Sequence, residues 1–154
     1  MKRKYLKWAM VLAWMIVIFV FSGQNGDDSS SNNRFIVDMF KSIGINLDSV
    51  LGSQVNFIIR KLAHMTEYFV LFMLIYNALK IDVRFGKNLM ISIIIVFLYA
   101  SSDEIHQSFV PGRACMFRDV MIDTAGAGVA MLGTIIVTYK KRSTLKKRHL
   151  LKAK

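Results

Sequence analysis

Four long apolar segments divide this chain, and shorter polar segments separate them. The apolar segments are residues 5–21, 55–79, 89–109 and 117–139. A helix rises ~1.5 Å per residue, so about 20 apolar residues cross the ~30 Å hydrocarbon core of a bilayer. The pattern therefore predicts an all-α integral membrane protein with four transmembrane helices, of which the first is just long enough to span.

The first apolar segment also has features of a secretory signal peptide, because basic residues precede it. No small-residue cleavage site of the A-x-A kind follows, since the segment leaves through Phe21-Ser22-Gly23-Gln24. We therefore expect the segment to be retained as the first membrane span.

A short amphipathic helix is predicted in the first outer loop. Residues 22–33 are rich in Ser, Asn, Asp and Gly, which favours a loop. Apolar residues then recur at helical spacing, and Gly44 follows as a stop signal. The apolar positions are Phe35, Ile36, Met39, Phe40 and Ile43. Such a helix would lie on the membrane surface or, alternatively, pack over a site at this face.

Basic residues are concentrated in alternate connections, which sets the expected topology. Most of the 21 Lys and Arg residues lie within residues 2–7, 80–87 and 140–154, together with a single acidic residue, Asp82. This distribution follows the positive-inside rule. The sequence therefore predicts cytoplasmic N- and C-termini in a multi-pass protein of the cell membrane. The same distribution argues against nucleic acid as a partner, despite a net charge of +11.

The chain is short enough for one domain. We assign residues 4–139 to a four-helix membrane domain and residues 140–154 to a basic cytoplasmic tail. The tail's cations would lie against anionic membrane lipid.

Apart from Lys7, the charged side chains and histidines inside the apolar segments all fall at the predicted outer face. A charge at mid-membrane costs roughly 2.5–3.5 kcal/mol, so these residues should face the bundle interior and one another. We predict one polar binding site, composed of Arg60, Lys61, His64, Glu67, Tyr68, Asp103, Glu104, His106, Gln107, Arg113, Arg118, Asp119 and Asp123.

Helical spacing suggests which of these side chains meet. Arg60, His64 and Glu67 are spaced at i, i+4 and i+7 on one face, and Lys61 lies about 100° away, from where it would reach outward. Arg60 and Asp103 are each disfavoured by the dipole of their own helix. The same holds for Lys61 and Glu104. We therefore predict ion pairing between the second and third spans, between Arg60 and Asp103 in particular, with Arg113 and Arg118 as further partners.

The formal charge of the predicted site is nearly balanced, with four cationic side chains and five carboxylates. A balanced set fits an internally paired polar network. It fits a dedicated phosphate clamp less well, because such a clamp would have an excess of positive charge.

The motifs at this site resemble those of a known family. They are Arg60-Lys61-Leu62-Ala63-His64 with Glu67-Tyr68, then Asp103-Glu104-Ile105-His106-Gln107, then Phe109-Val110-Pro111-Gly112-Arg113, with Asp119 and Asp123-Thr124 after them. Phe21-Ser22-Gly23-Gln24 adds a further match, in which Gly23 stands where Ser is commoner. The set is similar to the VanZ-like family of small bacterial membrane proteins. The resemblance implies an association with resistance to glycopeptide antibiotics, chiefly teicoplanin, or with envelope maintenance, and supplies no mechanism.

Three functions fit these residues. The polar site could bind a lipid-linked cell-wall precursor, a lipid headgroup or the acyl chain of a lipoglycopeptide. It could instead be the centre of a membrane-embedded enzyme, with Glu67, Asp103 and His106 as catalytic candidates and with Arg60 and Arg113 orienting the substrate. The cluster could also be purely structural. The sequence leaves this choice, and the oligomeric state, open.

No cofactor is expected from the sequence. The single cysteine, Cys115, excludes an internal disulfide and Cys-based zinc sites. Neither a His-Glu-x-x-His motif nor a Gly-rich phosphate loop is present. A divalent metal held by the carboxylates and histidines stays open. Ser101 and Ser102 precede Asp103, but a membrane-helix serine usually bonds its own backbone, so neither is expected to be a nucleophile.

Overall fold

The computed structural model describes residues 2–24, 34, 36–44, 46–111, 113 and 115–152. Every regular element in this part of the chain is helical. The elements are α1 (Lys2–Ser22), α2 (residues 36–42), α3 (Leu47–Leu51), a 3₁₀ turn (Gly52–Gln54), α4 (Val55–Leu79), α5 (Phe85–Gln107) and α6 (Phe117–Lys152). Among the described residues, four helices, α1, α4, α5 and α6, are long and apolar enough to cross a membrane. The predicted fold class is confirmed.

Helices α5 and α6 extend beyond the predicted spans. Helix α5 begins at Phe85, directly after the extended residue Arg84, and therefore starts before the apolar segment does. Helix α6 continues beyond Tyr139 to Lys152 without a break. Residues 140–152 contain neither Gly nor Pro and are rich in Lys, Arg and Leu, which are good helix formers. The basic tail is therefore a helical extension of the fourth span.

Helix α4 is the centre of the bundle. It contacts α1, α5 and α6, and its side chains Tyr68, Leu71 and Phe72 are fully buried. Helix α6 comes closest at Gly126, where a Cβ atom would overlap the Met65 carbonyl. Small residues at such a crossing let two membrane helices approach within backbone contact.

The outward faces of the bundle are apolar. Leu12, Ile94 and Leu132 are each at least half exposed, at 59%, 50% and 58%. Soluble monomers rarely expose apolar surface continuously over several helices. This surface therefore suits a lipid environment.

Helix α2 packs on the start of α4. Val37 is buried with Val55 and Ile59 in a small cluster separate from the main core. The helix ends just before Gly44, which has a positive φ of 88° and follows the helix as the sequence predicted. Of the predicted apolar face, Phe35 lies outside the described residues, as does most of the preceding loop. The described part of α2 thus covers one end of α4.

The bundle has two chemically different ends. At one end, which we call the basic end, Lys4 pairs with Asp82 at 2.7 Å, and Lys7 Nζ donates to the Asn77 carbonyl oxygen at 2.9 Å. The start of α1, the α4–α5 turn and the distal part of α6 meet there. At the other end, which we call the polar end, α4 and α6 begin and α5 terminates. The predicted site residues lie at the polar end.

Candidate functional site

Asp103 ties α1 to α5 at the polar end. Asp103 is 3% exposed, and its carboxylate accepts two hydrogen bonds, from Ser22 Oγ at 2.5 Å and from Gln107 Nε2 at 3.0 Å. The Tyr68 hydroxyl lies near this carboxylate without the geometry of a hydrogen bond. A buried carboxylate needs such donors, and Asp103 obtains them from polar neutral groups.

The predicted Arg60–Asp103 ion pair is not formed. Lys61 instead pairs with Asp119, whose Oδ2 atom is 2.5 Å from Lys61 Nζ, and this pair joins α4 to α6. The expectation that Lys61 reaches outward is also wrong, since its side chain is only 15% exposed. The helical angle between Lys61 and Arg60 is as predicted, but α6 lies on the side to which Lys61 points.

His64 lies between two carboxylates. Its Nδ1 atom is 3.9 Å from Glu67 Oε2 and 3.8 Å from Asp123 Oδ1. These distances are too long for hydrogen bonds. Within the described part of the chain, His64 Nδ1 and Asp123 Oδ2 are buried without a hydrogen-bond partner. Burying such atoms has a desolvation cost. A hydrogen bond from a water molecule or a ligand group to either atom would offset that cost.

Two hydrogen bonds hold the α5–α6 connection over the polar end. Glu104 Oε2 accepts from the Met116 backbone N–H at 3.0 Å, and Arg113 Nη1 donates to Gln107 Oε1 at 3.1 Å. Gly112 lies outside the described residues. Burial, followed by the nearby charge of Arg60, lowers the pKa of Arg113 from its usual value. A further positive charge is therefore unfavourable here, and a bound anion would be favourable.

A cavity of about 270 Å³ lies between the first turns of α4 and α6, the end of α5 and the α5–α6 connection. We call it the cationic cavity. It is lined by Phe57, Arg60, Lys61, His64, Gln107, Arg113, Met116, Arg118 and Asp119. Four of these side chains are cationic and one is a carboxylate, which is already paired with Lys61. The lining therefore has an excess of positive charge.

The remaining carboxylates of the polar end do not line this cavity. Asp103 and Asp123 are buried between helices, and Glu104 accepts its hydrogen bond from the backbone of Met116. The near balance of charge in the sequence is therefore divided in space, because the cations face the cavity while three carboxylates face the bundle interior. Because the cations alone face the cavity apart from the paired Asp119, the near balance of charge no longer argues against an anion site there.

His106 faces another part of the molecule. Its ring stacks on Phe19 at a centroid distance of 4.1 Å, and it lines a separate cavity of about 550 Å³ beside the end of α1. Among the described residues, no hydrogen bond or ion pair joins any two of Glu67, Asp103 and His106. The three catalytic candidates are thus held by different partners.

Comparison with known families decides what kind of protein carries this site. The model of the VanZ/LLP1 family matches residues 7–138. The chain belongs to the VanZ family. This membership fits a multi-pass membrane protein linked to glycopeptide resistance. A search of the curated proteins found no match, and a search of the solved structures found none either.

Several contacts of this VanZ-family site were missed by the sequence reasoning. Ser22 donates to Asp103, and its position within the Phe21–Gln24 motif was the signal that could have found it. Trp14 Nε1 donates to the Glu67 carbonyl oxygen at 2.9 Å, joining α1 to α4. The Phe57 ring lies 5.5 Å from Lys61 Nζ and 5.8 Å from the Arg118 guanidinium. Cation–π contacts of this kind position both cations at the cavity wall.

The hydroxyls that precede Asp103 behave as predicted. Ser101 Oγ donates to the Phe97 carbonyl oxygen at 2.8 Å, and Ser102 Oγ donates to the Tyr99 carbonyl oxygen at 2.7 Å. Within the described residues, no group of three or more His, Cys, Asp and Glu side chains is arranged to hold a metal ion.

Proposed function

We propose that this VanZ-family protein binds the anionic group of a lipid-anchored molecule in the cationic cavity and thereby lowers susceptibility to glycopeptides that carry an acyl chain. The molecule is a lipid-linked cell-wall precursor, a lipid headgroup or the lipoglycopeptide itself. The observation that carries the proposal is the cavity lining of four cations and one carboxylate already paired with Lys61.

The arginines of the cavity support an anionic ligand. In the described part of the chain, Arg60, Arg113 and Arg118 form no ion pair. A guanidinium binds a phosphate or a carboxylate through two parallel hydrogen bonds, and such charge-assisted bonds are stronger than neutral ones. The positive ends of the α4 and α6 dipoles point toward the same end of the bundle, which further favours an anion there.

The cavity volume favours a small charged group over a whole glycopeptide. A volume of about 270 Å³ corresponds to roughly nine water molecules at ~30 Å³ each. A phosphate, diphosphate or carboxylate fits this space. The rest of a lipid-anchored ligand would extend into the membrane or above it.

The proposal requires the polar end to face the outside of a bacterial cell, with both termini in the cytoplasm, as the positive-inside rule favours. The single cysteine, Cys115, is exposed in the α5–α6 connection and gives a direct test. A membrane-impermeant maleimide should label wild type in intact cells. A Cys115→Ser/Lys87→Cys variant should be labelled only after permeabilisation. The opposite pattern would overturn the orientation.

The functional test compares teicoplanin and vancomycin susceptibility in a sensitive host. Wild type should protect selectively against teicoplanin, and Arg60→Gln/Arg118→Gln should lose that protection at an equal membrane level. The matched control is Lys140→Gln/Arg148→Gln, which removes two exposed cations outside the cavity. Retained protection in the cavity variant would refute the anion site.

Near-isosteric changes at two carboxylates of the polar end separate a binding site from a purely structural cluster. Asp103→Asn keeps the size of the side chain but removes the charge, and Glu67→Gln does the same. If the site binds a ligand, these variants should weaken protection while the folded protein remains at wild-type level. If wild type, both variants and the cavity variant all protect alike, the cluster is structural.

A membrane enzyme is the second candidate, and one observation favours it. His64 lines the cationic cavity while its Nδ1 atom lies 3.8 Å and 3.9 Å from two carboxylate oxygens. A histidine so placed is suited to proton transfer at a bound anionic substrate. Purified wild type incubated with a lipid-linked diphosphate should then form product, and His64→Gln should bind without turnover. Binding without product by wild type would eliminate this candidate.

A further inference from the structure

The basic end holds a third pocket, which is independent of the cationic cavity. Its volume is about 400 Å³, and its lining includes Lys80, Lys141 and Arg142 but no acidic residue. Asp82, the acidic residue of the α4–α5 turn, is paired with Lys4. Within the described residues, the pocket is therefore positive without a carboxylate in its lining to balance it.

Contacts between helices shape this pocket. Asn88 is 1% exposed, and its Nδ2 atom donates to the Tyr76 carbonyl oxygen at 3.0 Å, which joins α5 to α4. The Arg142 guanidinium lies 5.4 Å from the centre of the Phe85 ring, which joins α6 to α5. Three helices thus contribute to the pocket, and one of its cations is positioned by an aromatic ring.

An apolar groove of about 280 Å³ continues from this pocket between α4 and α6. The two spaces share the lining residues Tyr76, Lys80, Val137 and Thr138. Beyond the shared part, the groove is lined by Phe69, Met73, Ala130, Gly133 and Thr134. The only charged residue in its described lining is Lys80, at the end that it shares with the pocket.

The length of the groove matches one leaflet of a bilayer. From Phe69 to Lys80, α4 makes about three turns, which is roughly 16 Å. One leaflet contributes about half of the ~30 Å hydrocarbon core. A molecule that fills both spaces therefore has an anionic group at the membrane surface and an apolar chain about one leaflet long.

We propose that the basic pocket and the apolar groove together bind one anionic phospholipid. Its phosphate lies among Lys80, Lys141 and Arg142, and one of its acyl chains lies in the groove between α4 and α6. A second copy of this chain would bring the same cations to the pocket and be repelled. An anionic lipid of the adjoining leaflet is complementary in both charge and shape.

Native mass spectrometry of the full chain in detergent tests the proposal, with equimolar phosphatidylglycerol and phosphatidylcholine as probes. Wild type should retain one phosphatidylglycerol in preference to phosphatidylcholine. Lys141→Gln/Arg142→Gln should lower this preference by roughly 30-fold, the factor that corresponds to about 1 kcal/mol for each removed cation. Lys140→Gln/Arg148→Gln removes the same charge outside the pocket and should keep the preference.

The acyl-chain part has its own matched pair of variants. A Cβ atom at Gly133 meets no atom within 4 Å, and the same holds at Gly128, but only Gly133 lines the groove. Gly133→Leu should therefore fill the groove and reduce lipid retention, whereas Gly128→Leu should not. Thermal unfolding in detergent checks that both variants fold.

Three results would overturn the proposal. They are equal retention of both lipids by wild type, an equal loss in the two charge variants, and a lipid-free dimer that Gly133→Leu disrupts. The last result would assign the groove to a second copy of the chain. None of these outcomes depends on the glycopeptide assay, so the two binding proposals stand or fail separately.

Discussion

The two ends of the bundle use the same kind of ion pair in different surroundings. At the polar end, the side chains of Lys61 and Asp119 are 15% and 19% exposed, and each belongs to a different membrane helix. At the basic end, Lys4 and Asp82 are 51% and 44% exposed. Water screens the second pair far more than the first. Burial, rather than the presence of opposite charges, therefore decides whether a pair constrains the helices.

The ends also differ in how cations and carboxylates are distributed. At the polar end, buried carboxylates face the bundle interior while cations face a cavity. Among the described side chains of the basic end, cations outnumber acids. At the polar end, burial and hydrogen bonds therefore fix the positions of the charged groups. The arrangement at the basic end produces a broad positive surface, which suits orientation in a membrane and contact with anionic lipid.

The largest expected effect concerns the close helix crossing near the polar end. Gly126→Ala should destabilise the fold by about 3 kcal/mol, because the new Cβ atom would overlap the Met65 carbonyl and force α4 and α6 apart. Gly128→Ala adds the same methyl group into open space and should have little effect. Reversible unfolding in mixed detergent measures both. Similar stability of the two variants would show that α4 and α6 are not closely packed at Gly126.

Double-mutant cycles test the two ion pairs directly. Lys61→Met combined with Asp119→Leu should reveal a coupling energy of about 2 kcal/mol, as expected for a largely desolvated pair. Lys4→Met combined with Asp82→Leu should show a much weaker coupling, close to none, because water screens both exposed groups. Equal coupling energies at the two ends would contradict the role assigned to burial.

A smaller effect is expected from single hydroxyl groups. Ser22→Ala removes the donor at 2.5 Å from Asp103 and should cost about 1.5 kcal/mol, the usual range for a hydrogen bond to a charged group. Ser102→Ala removes only a bond to its own helix, to the Tyr99 carbonyl oxygen, and should be nearly neutral. The difference between the two unfolding free energies is the quantity to measure. No difference would mean that Asp103 does not depend on α1.

Much of the fold could be predicted because the relevant pattern is local. Long apolar segments specify membrane helices, and the scarcity of charge within them places the ionisable residues at one end. The end of α2 was likewise predictable from Gly44, which adopts a positive φ. The continuation of α6 was missed because the assignment followed hydropathy, whereas helix formation in residues 140–152 follows intrinsic propensity.

The pairing within the site could not be predicted from single helices. A helical wheel gives the angle between Lys61 and Arg60 but does not say which neighbouring helix lies on each side. The pair proposed for Asp103 failed because Ser22, from a distant part of the chain, supplies a donor instead. The count of charges gave a balanced site, because a count does not show that the cations line the cavity while three carboxylates face the bundle interior.

The unbroken course of α6 has a mechanical consequence. A helix of 36 residues is about 54 Å long, whereas the hydrocarbon core is only ~30 Å thick. Asp119 and Asp123 lie near one tip of this rod, and the cationic residues beyond Tyr139 lie near the other. A force that tilts the projecting tip is therefore transmitted along a single stiff element to the wall of the cationic cavity.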